Sequence, residues 1–434
     1  MSYFHSVTLD REKCHGCTNC IKRCPTEAIR VRGGKAKIIK ERCIDCGECI
    51  RVCPYHAKLA VTDPLEMLEE YEYNIALPAP SLYGQFKHNA NINKVLTGLL
   101  KIGFDHVFEV ARGAEYVSAA TRELMEQGNL QLPVISSACP AVVRLIRVRF
   151  PDLLGNVIQL LSPMEVAAKQ AREEARLRTG LEADKIGVFF ITPCPAKVTS
   201  IKAPLAIEKS YVSGALSVND IYVKLLPVIK NMQKPETLSC SGFEGISWAR
   251  SGGESEGTKS LKYIAVDGIN HVMKILEEIE DDKLEDIEFI ELSACTGGCV
   301  GGALNVENSF VSSTRIKNMA VDKPESTPVA KINIPEISWK RRVEAAQVMK
   351  LDDDFNEAIR KMEEMERIYQ SMPDLDCGSC GAPSCRALAE DIVRGFGNEN
   401  DCIFKMRERV RELAKELFDL EAHPYGSYGN ENDR

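Results

Sequence analysis

Residues 14–25 read CHGCTNCIKRCP and residues 43–54 read CIDCGECIRVCP, one pattern written twice. Each copy spaces three cysteines by two residues, sets a fourth three residues further on and closes on proline. Three thiolates at that spacing wrap one corner of an iron–sulfur cubane, while the fourth reaches across to a neighbouring cube. The first cluster then draws on Cys14, Cys17, Cys20 and Cys53, and the second on Cys43, Cys46, Cys49 and Cys24. Zinc also takes four thiolates per ion, but it does not call for a doubled run with terminal prolines. Gly16 and Gly47 suit turns that aim amide groups at sulfur. His15, inside the first loop, reads as a surface or locally hydrogen-bonded residue. Between the copies, IRVRGGKAKII (29–39) predicts a hairpin turning at Gly33–Gly34.

The pattern extends beyond this segment. Of 17 cysteines in 434 residues, 16 fall into four sets of four and only Cys240 stands apart. Cysteine-rich chains are either disulfide scaffolds or metal proteins. The tight spacings, the chain length and an opening (MSYFHSVTLDREKC) without an apolar run favour metal in a reducing cytoplasm. A net charge of -8 argues against a nucleic-acid binder. No uninterrupted apolar run reaches a membrane-spanning length, so no membrane insertion is expected. The length suffices for two or three domains.

From about residue 80 to 345 short apolar runs alternate with helical periodicity. Strands are expected at Phe104–Val110, Val134–Ser136, Ile186–Ile191, Leu261–Val266 and Ile287–Leu292. Crossover helices are expected at Glu115–Gln127, Pro163–Arg178 and Ile269–Ile279. Four cysteines follow strands: Cys139 in SSACPA, Cys194 in ITPCPAK, and Cys295 with Cys299 in ELSACTGGCVGG. Ligands gather at the carboxyl ends of strands in such folds, and Gly297, Gly298, Gly301 and Gly302 suggest backbone pressed against something bulky. The plainer reading, four inert core cysteines, fits this placement less well.

Those three segments resemble the three signature motifs of the [FeFe]-hydrogenase catalytic domain, which many members of the family join to an N-terminal two-cluster ferredoxin module. The resemblance implies that Cys139, Cys194, Cys295 and Cys299 hold a [4Fe-4S] unit. It also implies that Cys299 bridges to a two-iron subcluster with CO, cyanide and a bridging dithiolate, and that Lys197 hydrogen-bonds an iron-bound cyanide. The departures are equally informative. Ala138 stands where the family has its proton-passing cysteine, and Val142 or a neighbour replaces a tryptophan. Thr192, Ser200 and Ser293 replace two methionines and a glutamate. SAATRE (118–123) replaces an acidic stretch of the proton path, with Glu123 as one surviving acid. This set resembles the sensory hydrogenases, which keep the cluster ligands and lose the fast relay. Hydrogenase-like proteins of iron–sulfur assembly also read SACP here, but they lack the doubled N-terminal run. Cys240, in a polar glycine-rich loop, reads as a buried or loop thiol. With Ser241, Glu244 and Glu254 it is also a weak candidate to replace the missing relay. Trp248 and Trp339 read as packing residues.

Residues 324–335 read as a linker or surface strap. Asp352–Asp354 open a helix whose stripe (Phe355, Ala358, Ile359, Met362, Met365, Tyr369) is expected to pack on a neighbouring domain or to bind a partner. Cys377-x2-Cys380-x4-Cys385-x16-Cys402 resembles a small [4Fe-4S] module of anaerobic electron-transfer proteins. Its helix should begin at Cys385, run to about Val393 and end at Gly395 and Gly397. A charged amphipathic helix follows at Ile403–Phe418.

The fold expected is α/β. It comprises a ferredoxin-like 2[4Fe-4S] domain (1–62), an [FeFe]-hydrogenase-like domain of parallel sheets and helices (75–345), a mostly helical [4Fe-4S] domain (350–418) and a disordered tail (419–434). The resemblance implies four [4Fe-4S] clusters, a two-iron subcluster, an anaerobic host, and H2 and protons as reactants. It further implies maturation proteins for the two-iron unit and a redox or signalling partner such as a kinase or phosphatase. The function expected is slow hydrogen turnover or sensing. The other reading is an electron-transfer subunit with cubanes and no two-iron unit.

Overall fold

In the computed structural model, which describes residues 4–87, 90–327 and 332–422, the run IGVFFIT becomes the central strand of a parallel sheet. The strands are β1 (Val7–Leu9), β2 (Ile29–Arg32), β3 (Lys35–Ile38), β4 (Lys58–Ala60), β5 (Tyr73–Pro78), β6 (His106–Val107), β7 (Val134–Ile135), β8 (Ile186–Thr192), β9 (Gly214–Ser217), β10 (Tyr263–Asp267) and β11 (Phe289–Ser293). Contacts divide the chain into two units, Met1–Lys13 with Ile39–Met349, and Cys14–Ile38 with Lys350–Arg434. The N-terminal cysteine-rich segment therefore contributes one half-repeat to each.

In the larger unit, one parallel sheet has the order β6-β5-β8-β9 and a second the order β10-β11-β7. Alternate residues of the first sheet enter different cores. Ala76, Phe189 and Ile191 face helices Ile92–Lys101 and Val218–Asn231. Ile75, Leu77, Val188 and Phe190 face helix Pro163–Thr179 and the start of Val110–Glu126. A sheet covered on both faces needs strands apolar at every position, so β8 carries no alternation in sequence. Helix Pro140–Arg149 and helix Ile269–Glu280 cover the second sheet through Val142, Ile146, Val272 and Leu276. β1 and β4 pair antiparallel.

Several boundaries differ from expectation. The strand expected at 104–110 shrinks to β6, because the chain turns into the Val110–Glu126 helix five residues before Glu115. β5 and β9 were not foreseen, since NIALPAP carries two prolines and GALS is only four residues long. Residues 324–327 lie along the domain as a strap, with the Phe243 amide donating to the Pro324 carbonyl at 2.7 Å and the Thr327 amide to Glu115 at 3.1 Å. Residues 328–331 of that stretch lie outside the described residues.

In the smaller unit, β2 and β3 form the expected hairpin at Gly33–Gly34. The C-terminal module seats on it. The Val31 amide donates to the Gly381 carbonyl at 2.8 Å, and Arg32 donates to the Cys380 carbonyl at 2.5 Å. Buried Asp391 binds both Arg30 (2.7 Å) and Arg32 (2.9 Å). Asp354 caps helix Phe355–Gln370 by accepting from the Glu357 amide. The stripe on that helix is only partly used. Met365 is buried with Ile368 and Met372 against the cysteine module, whereas Phe355, Ile359 and Met362 are exposed. The last helix runs Ile403–Ala422, past Phe418 and into the segment expected to be disordered; residues 423–434 lie outside the described residues. No helix among the described residues is long and apolar enough to cross a membrane.

Candidate metal centre

Proline at the first helical position is what presents two of the central cysteines. Cys139 and Cys194 each stand at the N-cap of a helix opened by Pro140 or Pro195, directly after β7 and β8. Proline is pre-set for that position, and the helix start carries positive potential toward the preceding sulfur. Cys295 and Cys299 come from the turn after β11. Carboxyl ends of both parallel sheets thus supply the site.

The four sulfurs and Lys197 interact with one another electrostatically. Burial pushes Cys194 up to about 12 and Cys299 up to about 11, and it raises Cys295 as well. Burial would also lower Lys197, but the negative charge of Cys299, Cys194, Cys139 and Cys295 outweighs it and holds the ammonium well above its ordinary range. Four thiols converging beside one ammonium are a donor set that a metal would satisfy, since a coordinated sulfur is deprotonated outright. The donor set therefore fits a cationic cluster better than an inert core. Lys197 also makes a long 3.4 Å contact to the Ala138 carbonyl.

A cavity opens on this cluster, lined by Ala138, Cys139, Lys197, Cys299, Glu254, Glu291 and Ser293 among others. Glu254 is buried, and the Ser136 hydroxyl lies 2.7 Å from each of its oxygens. Ser136 Oγ also accepts from the Ala138 amide at 3.1 Å. Glu291 accepts amides from Gly252 (3.0 Å) and Ser255 (2.9 Å). Burial raises both carboxyls, and the charge of Glu291 adds to the rise at Glu254. The backbone donors favour charge on Glu291, which leaves Glu254 as the protonated member. Of the four residues weighed as substitute relays, only Glu254 reaches the cavity. Cys240 sits on an exposed loop held by Glu109 through its own amide (2.7 Å) and that of Ser241 (3.1 Å), and Glu244 pairs with Arg122 at 3.5 Å.

Three glycines of the third motif, Gly298, Gly301 and Gly302, press on the protein's own backbone. A Cβ at Gly298 would meet the Ser251 amide nitrogen at 2.6 Å, and one at Gly302 would overlap the Pro193 carbonyl. These contacts lock the turn holding Cys295 and Cys299 to the Ala249–Ser251 loop and to the Cys194 segment. Two residues escaped the sequence reading. Glu291 is hidden within an apolar strand. Arg51, between Cys49 and Cys53, donates to the Gly301 carbonyl at 2.8 Å and interacts with Cys295, tying the second half-repeat to the pocket turn. Cys46 packs in the same core as Cys139 and Cys194.

The half-repeats share their backbone. Left-handed residues occur at Gly16, Thr18 and Glu27 in the first, and at the matching Asp45, Gly47 and His56 in the second. Amides point at sulfur in both, Ala28 to Cys24 at 3.2 Å and Ala57 to Cys53 at 3.3 Å. Glycine is obligatory at 16, where a Cβ would lie 2.6 Å from the Gly34 carbonyl oxygen. At the C-terminus, Cys380, Cys385 and Cys402 share one small core, and Cys377 interacts with Cys380. Helix Cys385–Val393 starts and stops as expected, capped by Ser384 and turned out at Gly395.

Known proteins match these regions. Residues 72–223 and 217–303 match the iron-only hydrogenase large subunit, C-terminal domain. Residues 6–54 match a 4Fe-4S dicluster domain and residues 372–404 an Fe-S cluster family. Iron hydrogenase 1 of Clostridium pasteurianum is 24% identical over 369 residues, covering 68% of this chain and 64% of that protein. The NADP-reducing hydrogenase subunit HndD of Solidesulfovibrio fructosivorans is 22% identical over 344 residues, covering 67% and 55%. The matches therefore span less than two thirds of these relatives' own lengths. A solved [FeFe]-hydrogenase, studied for oxygen damage to its H cluster, overlays with a TM-score of 0.49 at 12% identity over 65% of this chain and 98% of that one. With the hydrogenase domain running through more than half of its length and a dicluster segment ahead of it, the chain belongs to the [FeFe]-hydrogenase family.

Proposed function

We infer that this hydrogenase-like iron–sulfur protein reacts with hydrogen slowly and reports it, or the redox state it sets, to a protein partner. The observation that carries this reading is Ala138 beside Lys197 in a pocket that keeps all four cysteines. Cys139, Cys194, Cys295 and Cys299 would hold a cubane, with Cys299 bridging to a two-iron unit. When bound, that unit would supply the chemistry of splitting or forming H2. Cys14, Cys17, Cys20 and Cys53 would hold a second cubane, Cys43, Cys46, Cys49 and Cys24 a third, and Cys377, Cys380, Cys385 and Cys402 a fourth.

The chain's own residues account for the slowness. Lys197 offers a buried ammonium as a charge-assisted donor to an anionic ligand. The Ala138 methyl cannot carry a proton, and a positioned acid or base is worth ~10²–10⁴ in rate. Glu254, whose carboxyl burial raises, lines the same cavity and is linked through the Ser136 hydroxyl to the Ala138 amide, so it is the acid that would stand in, less directly placed, for a relay at position 138. Ser293 makes the cavity wall more polar than an apolar residue would, and Thr192 donates to the Cys194 carbonyl at 3.0 Å beside it. Ala138→Cys in fully matured protein should raise hydrogen turnover by at least ~10²-fold. Unchanged turnover would remove proton supply as the cause of slow chemistry.

A further inference from the structure

The last helix has a feature that the hydrogen reading does not use. Every residue from Met406 to Glu421 is exposed. On this face Met406, Val410, Leu413, Leu417 and Leu420 recur at alternating spacings of four and three residues, each between 45% and 70% exposed. Half-buried Ile403 begins the same series. That is an unbroken a/d heptad seam, the signature of a two-helix coiled coil. Phe418 is also exposed and lies on its flank. A lone helix of this length is marginal in water without a covered face, so the seam requires an occupant.

Charge selects the occupant. The positions flanking the seam are Arg409 and Glu416 on one side, and Arg407, Ala414 and Glu421 on the other. In a parallel pair Glu416 would oppose Glu421 of the second copy, twice. In an antiparallel pair centred between Arg411 and Glu412, Val410 meets Leu413 of the second copy, Met406 meets Leu417, and Ile403 meets Leu420. Arg409 then faces Glu416 of the second copy, also twice. Arg409 now lies 3.2 Å from Glu412 on its own helix, an exposed pair that is cheap to exchange.

We propose that helix Ile403–Ala422 is a homodimerisation element that pairs antiparallel with the same helix of a second copy. The test is the mass of the cluster-loaded 434-residue chain by anaerobic light scattering and sedimentation at tens of micromolar. The expected result is twice the 48.2 kDa chain mass. Leu413→Asp should give monomer with unchanged iron content and unchanged spectra. Glu416→Arg should weaken the dimer about tenfold or more, and Arg409→Glu with Glu416→Arg should restore it, because antiparallel pairing exchanges those two charges. A monomeric wild type, or a dimer indifferent to Leu413→Asp, overturns the proposal. So does tightening by Glu416→Arg, which would relieve a parallel Glu416–Glu421 clash. None of these outcomes depends on hydrogen chemistry.

Discussion

The half-repeat cysteines and the pocket cysteines are presented by opposite means. In the half-repeats, left-handed turns and sulfur-directed amides lie within a dozen residues of each other, and the sulfurs range from buried, as at Cys14 and Cys46, to exposed at Cys17. In the pocket, four sulfurs come from three distant segments, Cys295 buried and the other three half-buried, and share one lysine. A local loop can assemble around metal by itself, whereas the pocket must be assembled by the fold before it can hold anything. In the proposed function, hydrogen chemistry would fall to the part that is costliest to arrange and electron carrying to the part that is cheapest.

Removing a pocket sulfur should have the largest effect. Cys194→Ala should abolish hydrogen turnover of matured protein and lower iron by about six atoms per chain, about four from the cubane and about two from the unit bridged to it, while the N-terminal and C-terminal clusters keep their electron paramagnetic resonance signals. Loss of all signals together would mean that the pocket and the loops are not independent. Next in size, Glu254→Gln keeps the hydrogen bond to Ser136 but supplies no proton. Turnover of matured protein should fall by about tenfold or more, and the same substitution made with Ala138→Cys should cost far less. Equal losses in both backgrounds would take Glu254 out of proton supply.

How far this division is visible in sequence follows from the same contrast. Spacing alone marks 14–25 and 43–54, because each set of ligands is local. The central motifs could be grouped only through family resemblance, since nothing in SSACPA points to ELSACTGGC 150 residues away. Glu291 was invisible because a carboxylate in a strand normally faces water, and its value here arises from amides of the Gly252–Ser255 turn. Arg51 looked like a spacer between ligands until the fold set it against Gly301. The stripe from Phe355 to Tyr369 misled in the other direction. Its apolar face is longer than the module that covers it, so Phe355 and Met362 stay exposed.

The smallest expected effect concerns stability. Burial pushes Glu165 up to about 7 from an ordinary 4.5, although Ser210 and the Tyr211 amide hydrogen-bond to it. Its folded value exceeds its unfolded value, so its contribution to stability is whole below about pH 4.5 and is lost as pH rises through about 7. A shift of that size corresponds to ~3 kcal/mol. Glu165→Gln should flatten the dependence of the guanidinium midpoint between about pH 5 and 8. A slope equal to wild type would assign the titration to another group.

The most direct test of the central claim is the infrared spectrum of protein produced with the maturation proteins for the two-iron unit. Stretching bands of iron-bound CO and CN are expected, and they should be lost in Cys299→Ala. Iron and sulfide approaching 16 each per chain, about four for each of four cubanes, with no such bands would contradict the account and leave a multi-cluster electron carrier.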